Sequence, residues 1–152
     1  MRPVSWSFLL GSHNAEIGFG AAMEVLKCGG SAIDAVEIGI RCVEANPEDH
    51  SVGYGGYPNL LGEIELDAAV MNGSDRTSGA VAALKGYAYP ISVARKVMDY
   101  LPHVLLVGEG AARFAQEMGC ETRDLRTDEA YRVWEQRLRE DMSDKEFEAL
   151  GD

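Results

Sequence analysis

The sequence predicts an α+β or layered α/β chain with too few strands for its helices, and three observations carry that reading. An early β-branched and aromatic run is followed by two stretches of helical periodicity, the middle of the chain holds one strand–turn–strand pattern, and the rest alternates a single short strand with helices. Helices this numerous need more sheet to cover, so the sheet reads as incomplete.

The elements follow in order. "VSWSFLL" lacks helical spacing and reads as a buried strand, broken by "GSHN". From Ala15 to Lys27, Ile17, Ala21, Ala22, Val25 and Leu26 recur at helical intervals, and "CGG" supplies a glycine stop. Ser31 with Asp34 forms a capping-box pattern, after which Ile33, Val36, Ile40 and Val43 share a face until Asn46–Pro47 ends the helix. In "EIELDAAVM" the residues Ile64, Leu66, Ala68 and Val70 alternate with Glu63, Glu65 and Asp67, the period of a half-buried strand. "NG" at Asn72–Gly73 then predicts a hairpin turn into an antiparallel "SGAVAAL".

Pro90 suits the first turn of a helix presenting Ala94, Val97, Met98 and Leu101. "HVLLV" reads as a short buried strand, and "GEG" opens a helix with Ala111, Phe114, Ala115 and Met118 inward. Thr127 is the expected N-cap of a last helix, with Asp128 and Glu129 at its positive end and Ala130, Trp134 and Leu138 facing in. Residues 1–139 read as one unit and 140–152 as a flexible acidic tail.

Composition narrows the function classes. A formal net charge of -11 opposes a nucleic-acid backbone as partner, because phosphate binding needs a basic stripe. No apolar run reaches the roughly 18 residues of a membrane span, and "MRPVSWSFLL" lacks the features of a secretory signal, so a cytoplasmic location is expected. Cys28, Cys42 and Cys120 are odd in number and widely spaced, which suits buried reduced thiols.

Familiar chemical motifs are weak. Gly108 and Gly110 at a strand-to-helix turn suggest a phosphate or dinucleotide site, but Arg113 stands where a third glycine belongs and a tight turn needs glycines anyway. His13, His50 and His103 have no zinc-ligand spacing, so no metal is expected. "NGS" at 72–74 reads as turn rather than glycosylation acceptor, and no GxSxG elbow names a serine nucleophile. The catalytic group is not evident in this chain.

One stretch remains unexplained by these readings: "HSVGYGGYPN", His50 to Asn59, a glycine- and tyrosine-rich junction between helix and strand. Together with "GGSAIDAVE" before it, "ELDA" after it, "PHVLLVGEGA" and the terminal "GD", in that order, it resembles the α-subunit of the threonine-type asparaginases. These are a branch of the N-terminal nucleophile hydrolases, and the pattern is nearest to that of the glycosylasparaginases. The resemblance covers most of residues 29–118.

The resemblance implies an αββα four-layer sandwich completed by a second chain, the β-subunit, cut from the same precursor, and commonly a dimer of such heterodimers. Self-cleavage before a threonine would free an α-amine that activates the threonine's own hydroxyl, so one residue is nucleophile and base. The substrate would be a small asparagine-type molecule, and the chemistry requires no cofactor. Asp152 would precede the scissile bond, and Ser51 would hydrogen-bond near the threonine before or after cleavage. Gly53, Gly55, Gly56 and Asn59 would shape the loop, and Trp6 would line the substrate entrance, although a core role for Trp6 and a purely structural turn remain alternatives. The segment from Trp6 to Gly29, with "LLGSHNAEIGFG", is longer than the family's usual one. Three functions stand at this point: a glycosylasparaginase-like amidohydrolase, an asparaginase or β-aspartyl peptidase on the same scaffold, and a non-catalytic binding module.

Overall fold

The computed structural model describes residues 7–142. Within them the order is α1 (Glu16–Lys27), α2 (Ala32–Glu44), β1 (Leu66–Met71), β2 (Ser78–Leu84), α3 (Pro90–Tyr100), β3 (Leu105–Val107), α4 (Gly108–Glu117) and α5 (Asp128–Asp141). The fold is thus mixed α and β with a small sheet, as the periodicities predict.

The helix ends are where local chemistry puts them. The Ser31 side chain accepts from the Asp34 amide while the Asp34 carboxylate receives the Ser31 amide, so two orphan donors at the start of α2 are satisfied reciprocally. Pro90 occupies the first turn of α3, where its missing N–H costs nothing. Thr127 caps α5 by accepting from the Ala130 amide.

The sheet has the order β1-β2-β3, with β1 antiparallel to β2 and β2 parallel to β3 through α3. Its register slips between Leu66 and Ala68, and the Asp67 carboxylate takes the Ala83 amide at 2.8 Å where Ala83 adopts φ 50. The misfit is thereby a bonded bulge rather than a broken ladder. One face of the sheet meets α3: a Cβ on Gly79 would lie 2.3 Å from the Ala94 carbonyl oxygen, so only glycine lets the helix sit that close. Val70, Val81, Leu84, Ile91, Val93, Val97, Ala111 and Ala115 fill the core between them.

The opposite sheet face is bare among the described residues. Pairing places Ala69 beside Ala80 and Ala80 beside Leu105, with Ala82 beside Val107, and Leu105 and Val107 are each about half exposed. "HVLLV" is therefore not a buried strand but an exposed edge, because β3 has a neighbour on one side and nothing over its outer face. The opening strand fails for a related reason. Ser7 to Leu10 pair with no strand, and Phe8 and Leu10 are 84% and 92% exposed; residues 4–6 of that run lie outside the described residues.

Two smaller expectations also change. The hairpin connection runs from Asn72 to Thr77, closed by the Asn72 amide on the Thr77 carbonyl, rather than through a two-residue turn. Cys28 is exposed, since it caps the solvent end of α1, while Cys42 and Cys120 are half-buried. Burial pushes the Cys120 thiol up despite nearby Lys96. Helix α5 extends through residues 140 and 141 of the expected tail, and residues 143–152 lie outside the described ones.

Candidate active-site loop

The segment from Asn46 to Asn59 leaves α2, turns back on the end of that helix and then runs toward β1. Its anchor is the last turn of α2: the Tyr54 amide donates to the Glu44 carbonyl at 2.8 Å, and the Gly55 amide to the Leu125 carbonyl at 2.8 Å. Gly53 has φ 67, and a Cβ there would lie 2.1 Å from the Glu44 oxygen. Gly55 has φ 83, with the Pro47 oxygen 3.0 Å from its hypothetical Cβ. At Gly53 and Gly55 the positive φ and the close backbone neighbours leave no room for a side chain, and both are buried with Gly56.

The aromatic decoration is fixed as well. His50 stacks on Tyr57 with ring centroids 4.8 Å apart, and its Nδ1 lies 2.7 Å from the Gly55 carbonyl, which can only accept. The guanidinium groups of Arg123 and Arg137 sit over the Tyr54 and Tyr57 rings, tying the loop to the segment around α5. Asn59 finishes the loop: its Oδ1 accepts from the Leu61 and Glu63 amides, and its Nδ2 donates to Glu65.

On this frame Ser51 is exposed, and its hydroxyl donates to Asp49 Oδ1 at 2.5 Å while its amide donates to the same oxygen at 2.9 Å. Asp49 itself is buried. Burial alone would raise its pKa, but the hydrogen bonds from Ser51, the Asn14 side chain and the charge of His50 outweigh it, and the carboxyl titrates below its ordinary range. Asp49 Oδ2 closes no hydrogen bond among the described residues. A cleft of about 370 Å³ beside it is lined by His13, Asn14, Glu16, Ile17, Asn46 and Glu48.

Beneath the loop lies a second buried acid. Glu44 is 1% exposed, its Oε1 accepts the Ile91 amide at the start of α3 at 2.9 Å, and its Oε2 has no partner among the described residues. Burial pushes it up to about 8, against the Ile91 bond and Arg41, with Glu37 adding to the rise. Around it α2 and α3 meet through polar contacts: Ser92 donates to Glu37 at 2.6 Å, and Arg95 bridges Asp34 and Asp99 at 3.1 and 2.8 Å.

Of the residues the sequence singles out, Ser51, Gly53, Gly55, Gly56 and Asn59 belong to this one loop, while Trp6 and Asp152 lie outside the described residues. Sequence reasoning misses Asp49, Asn14 and Glu44. The Asp-x-Ser spacing of 49–51 is the signature of a side chain that bonds backbone two residues on, so Asp49 was detectable. Glu44 stands four residues after Ile40 on the apolar stripe of α2, a position where a charge is out of place.

The asparaginase family profile matches residues 17–150, and the chain belongs to that family, whose members are hydrolases of amide C–N bonds. It is 44% identical over 136 residues to the N(4)-(Beta-N-acetylglucosaminyl)-L-asparaginase of Elizabethkingia miricola, a match covering 89% of this chain and 38% of that protein. It is 47% identical over 116 residues to the plant-type L-asparaginase of Thermococcus kodakarensis, covering 76% and 37% of the two chains. The isoaspartyl peptidase/L-asparaginase of Mus musculus is 47% identical over 96 residues, covering 63% of this chain and 29% of that one. The chain thus spans well under half the length of these relatives. No helix among the described residues is long and apolar enough to cross a membrane.

Proposed function

We propose that this chain supplies the α-side of an autoprocessed amidohydrolase that hydrolyses the side-chain amide of asparagine-type substrates, with glycosylated asparagine as the leading substrate. The observation that carries the reading is Ser51: an exposed hydroxyl held on a buried carboxylate by a glycine-shaped loop, ready to meet a group from outside the chain. The bare apolar face of the sheet supports a second sheet from a β-subunit, giving four layers, and pairing of two such heterodimers belongs to the same proposal. Unpaired cysteines accord with a reducing, cytoplasmic setting.

In this reading cleavage after Asp152 frees a threonine. Its hydroxyl oxygen attacks the amide carbon, the hydroxyl proton passes to the threonine's own α-amine, and the leaving nitrogen takes that proton as the C–N bond breaks. Water then hydrolyses the β-aspartyl ester, returning aspartate and the free hydroxyl. Ser51 hydrogen-bonds the threonine, and Trp6 closes the entrance. An Arg–Asp pair to hold the substrate's α-carboxylate and α-amine, and the oxyanion donors, would come from the β-subunit.

A second substrate reading, free asparagine or β-aspartyl dipeptides, draws support from the relatives named plant-type L-asparaginase and isoaspartyl peptidase/L-asparaginase. Intact masses of the denatured protein and the N-terminal sequence of any second chain test the main proposal. A stoichiometric partner beginning with threonine is expected, and turnover of glycosylated asparagine, asparagine and β-aspartyl dipeptide then ranks the substrates. A full-length protein that never cleaves and never turns over any of them would be a binding module, and the proposal would fall.

A further inference from the structure

We propose that Asp49 is a positioning residue for the Ser51 hydroxyl. The inference rests on the reading of Ser51 given above and adds the residue that acts through it.

The geometry restricts what Ser51 can do. Its hydroxyl proton is committed to Asp49 Oδ1, and its amide grips the same oxygen, so the side chain has neither rotational freedom nor a proton to donate elsewhere. What it presents to solvent is lone pairs alone. A group arriving at Ser51 must therefore donate, and the α-amine of a threonine is a donor. An amine that gives an N–H to Ser51 keeps its own lone pair for the adjacent hydroxyl, which is the orientation a base needs. A hydroxyl free to rotate would offer its proton to the amine as readily, and the lone pair would be lost.

Charge points the same way. Asp49 is 5% exposed, and no Lys or Arg among the described residues forms an ion pair with it. The groups that face it are the Ser51 donors, the Asn14 side chain and the charge of His50, with the carboxylates Glu16 and Glu48 lining the cleft beside it. A buried carboxylate with an open oxygen is costly unless something cationic or strongly donating completes it. A neutral α-amine docked on Ser51 would bring N–H donors to this side of the loop and keep its lone pair. Asn14 lines the cleft beside the carboxylate, with its Oδ1 turned to His13 Nδ1 at 2.5 Å.

The test uses the full-length precursor carrying D49N, N14D or S51A, with self-cleavage followed by intact mass. Turnover of glycosylated asparagine and of asparagine is expressed per cleaved molecule, over pH values on both sides of neutrality. D49N keeps an acceptor in place and removes the charge. It should lower kcat about tenfold with KM nearly unchanged, and shift the acid limb of the kcat/KM profile down by about half a unit, because the amine loses a negative neighbour. N14D places a second carboxylate beside the first and should move the acid limb up. If S51A loses turnover while D49N and N14D leave kcat and the acid limb where they were, the positioning role is wrong and the Ser51 reading stands. If S51A turns over like the parent, both are wrong. Should D49N fail to accumulate folded, the acid limb of N14D decides, since Asn14 is exposed and its replacement does not open the core.

Discussion

The carbonyl oxygen of Glu44 lies 2.1 Å from the point where Gly53 would have to carry a Cβ, and the same oxygen accepts the amide of Tyr54 at 2.8 Å. Helix end and loop are thus in contact with no room for a methyl group. Gly53→Ala must either push the loop off α2 or strain a backbone at φ 67. We expect a loss of about 2 kcal/mol or more in urea unfolding, together with slower self-cleavage. Gly73→Ala, with nothing near its added Cβ, is the control and should change little.

Glu44 makes stability depend on pH in an unusual direction. Its folded pKa of about 8 stands above its ordinary 4.5, so the folded state holds the proton more tightly and stability falls as pH rises between those values. Below the window the acid is neutral in both states and costs nothing extra. Glu44→Gln keeps an acceptor for the Ile91 amide and removes the titration. The variant should match the parent in acid and exceed it above pH 8, by up to about 5 kcal/mol on the unit conversion. Denaturant midpoints at both ends of the window check this, and a constant difference across it would exclude Glu44 as the titrating group.

The capping box at Ser31 supports α2, which carries the loop. Ser31→Ala removes the acceptor for the Asp34 amide and the hydroxyl that donates to its carboxylate at 2.6 Å. A cost of about 1 kcal/mol is expected. Ser31→Asp should recover most of it, measured by thermal unfolding.

Val107 reports whether the sheet is covered in the whole protein. On a wet face, Val107→Lys would change stability by less than about 0.5 kcal/mol. Under the two-sheet reading it buries a charge between layers, and the full-length protein should lose several-fold in yield of folded, cleaved material. Comparison with Leu60→Lys, at a site that is also exposed in this chain, separates a face effect from a general loss of apolar surface.

Much of this was legible in the sequence because local chemistry decides it. Ser31 and Thr127 announce helix starts through side chains that accept an amide three residues on, and Pro90 through a fixed φ and a missing N–H. The strand around Leu66 and Val70 betrays itself by alternation. What failed depends on neighbours. Apolar content in "VSWSFLL" and "HVLLV" says that the segments prefer burial, not that this chain supplies the cover, and Phe8, Leu10, Leu105 and Val107 are left exposed. The loop shows the same division. Its glycines follow from backbone geometry, whereas the burial of Asp49 depends on how the loop folds back, which spacing alone does not give.

The core cluster that runs from Val70 to Ala115 draws its buried members from that span alone. During synthesis it can close soon after Ala115 clears the ribosome, and under the two-sheet proposal Leu105 and Val107 then stay wet until the covering sheet is made. The interval is one of exposed strand edge and apolar face, the combination that invites aggregation. Translation speed beyond Ala115, and chaperone supply at that moment, should therefore govern how much active protein a cell recovers.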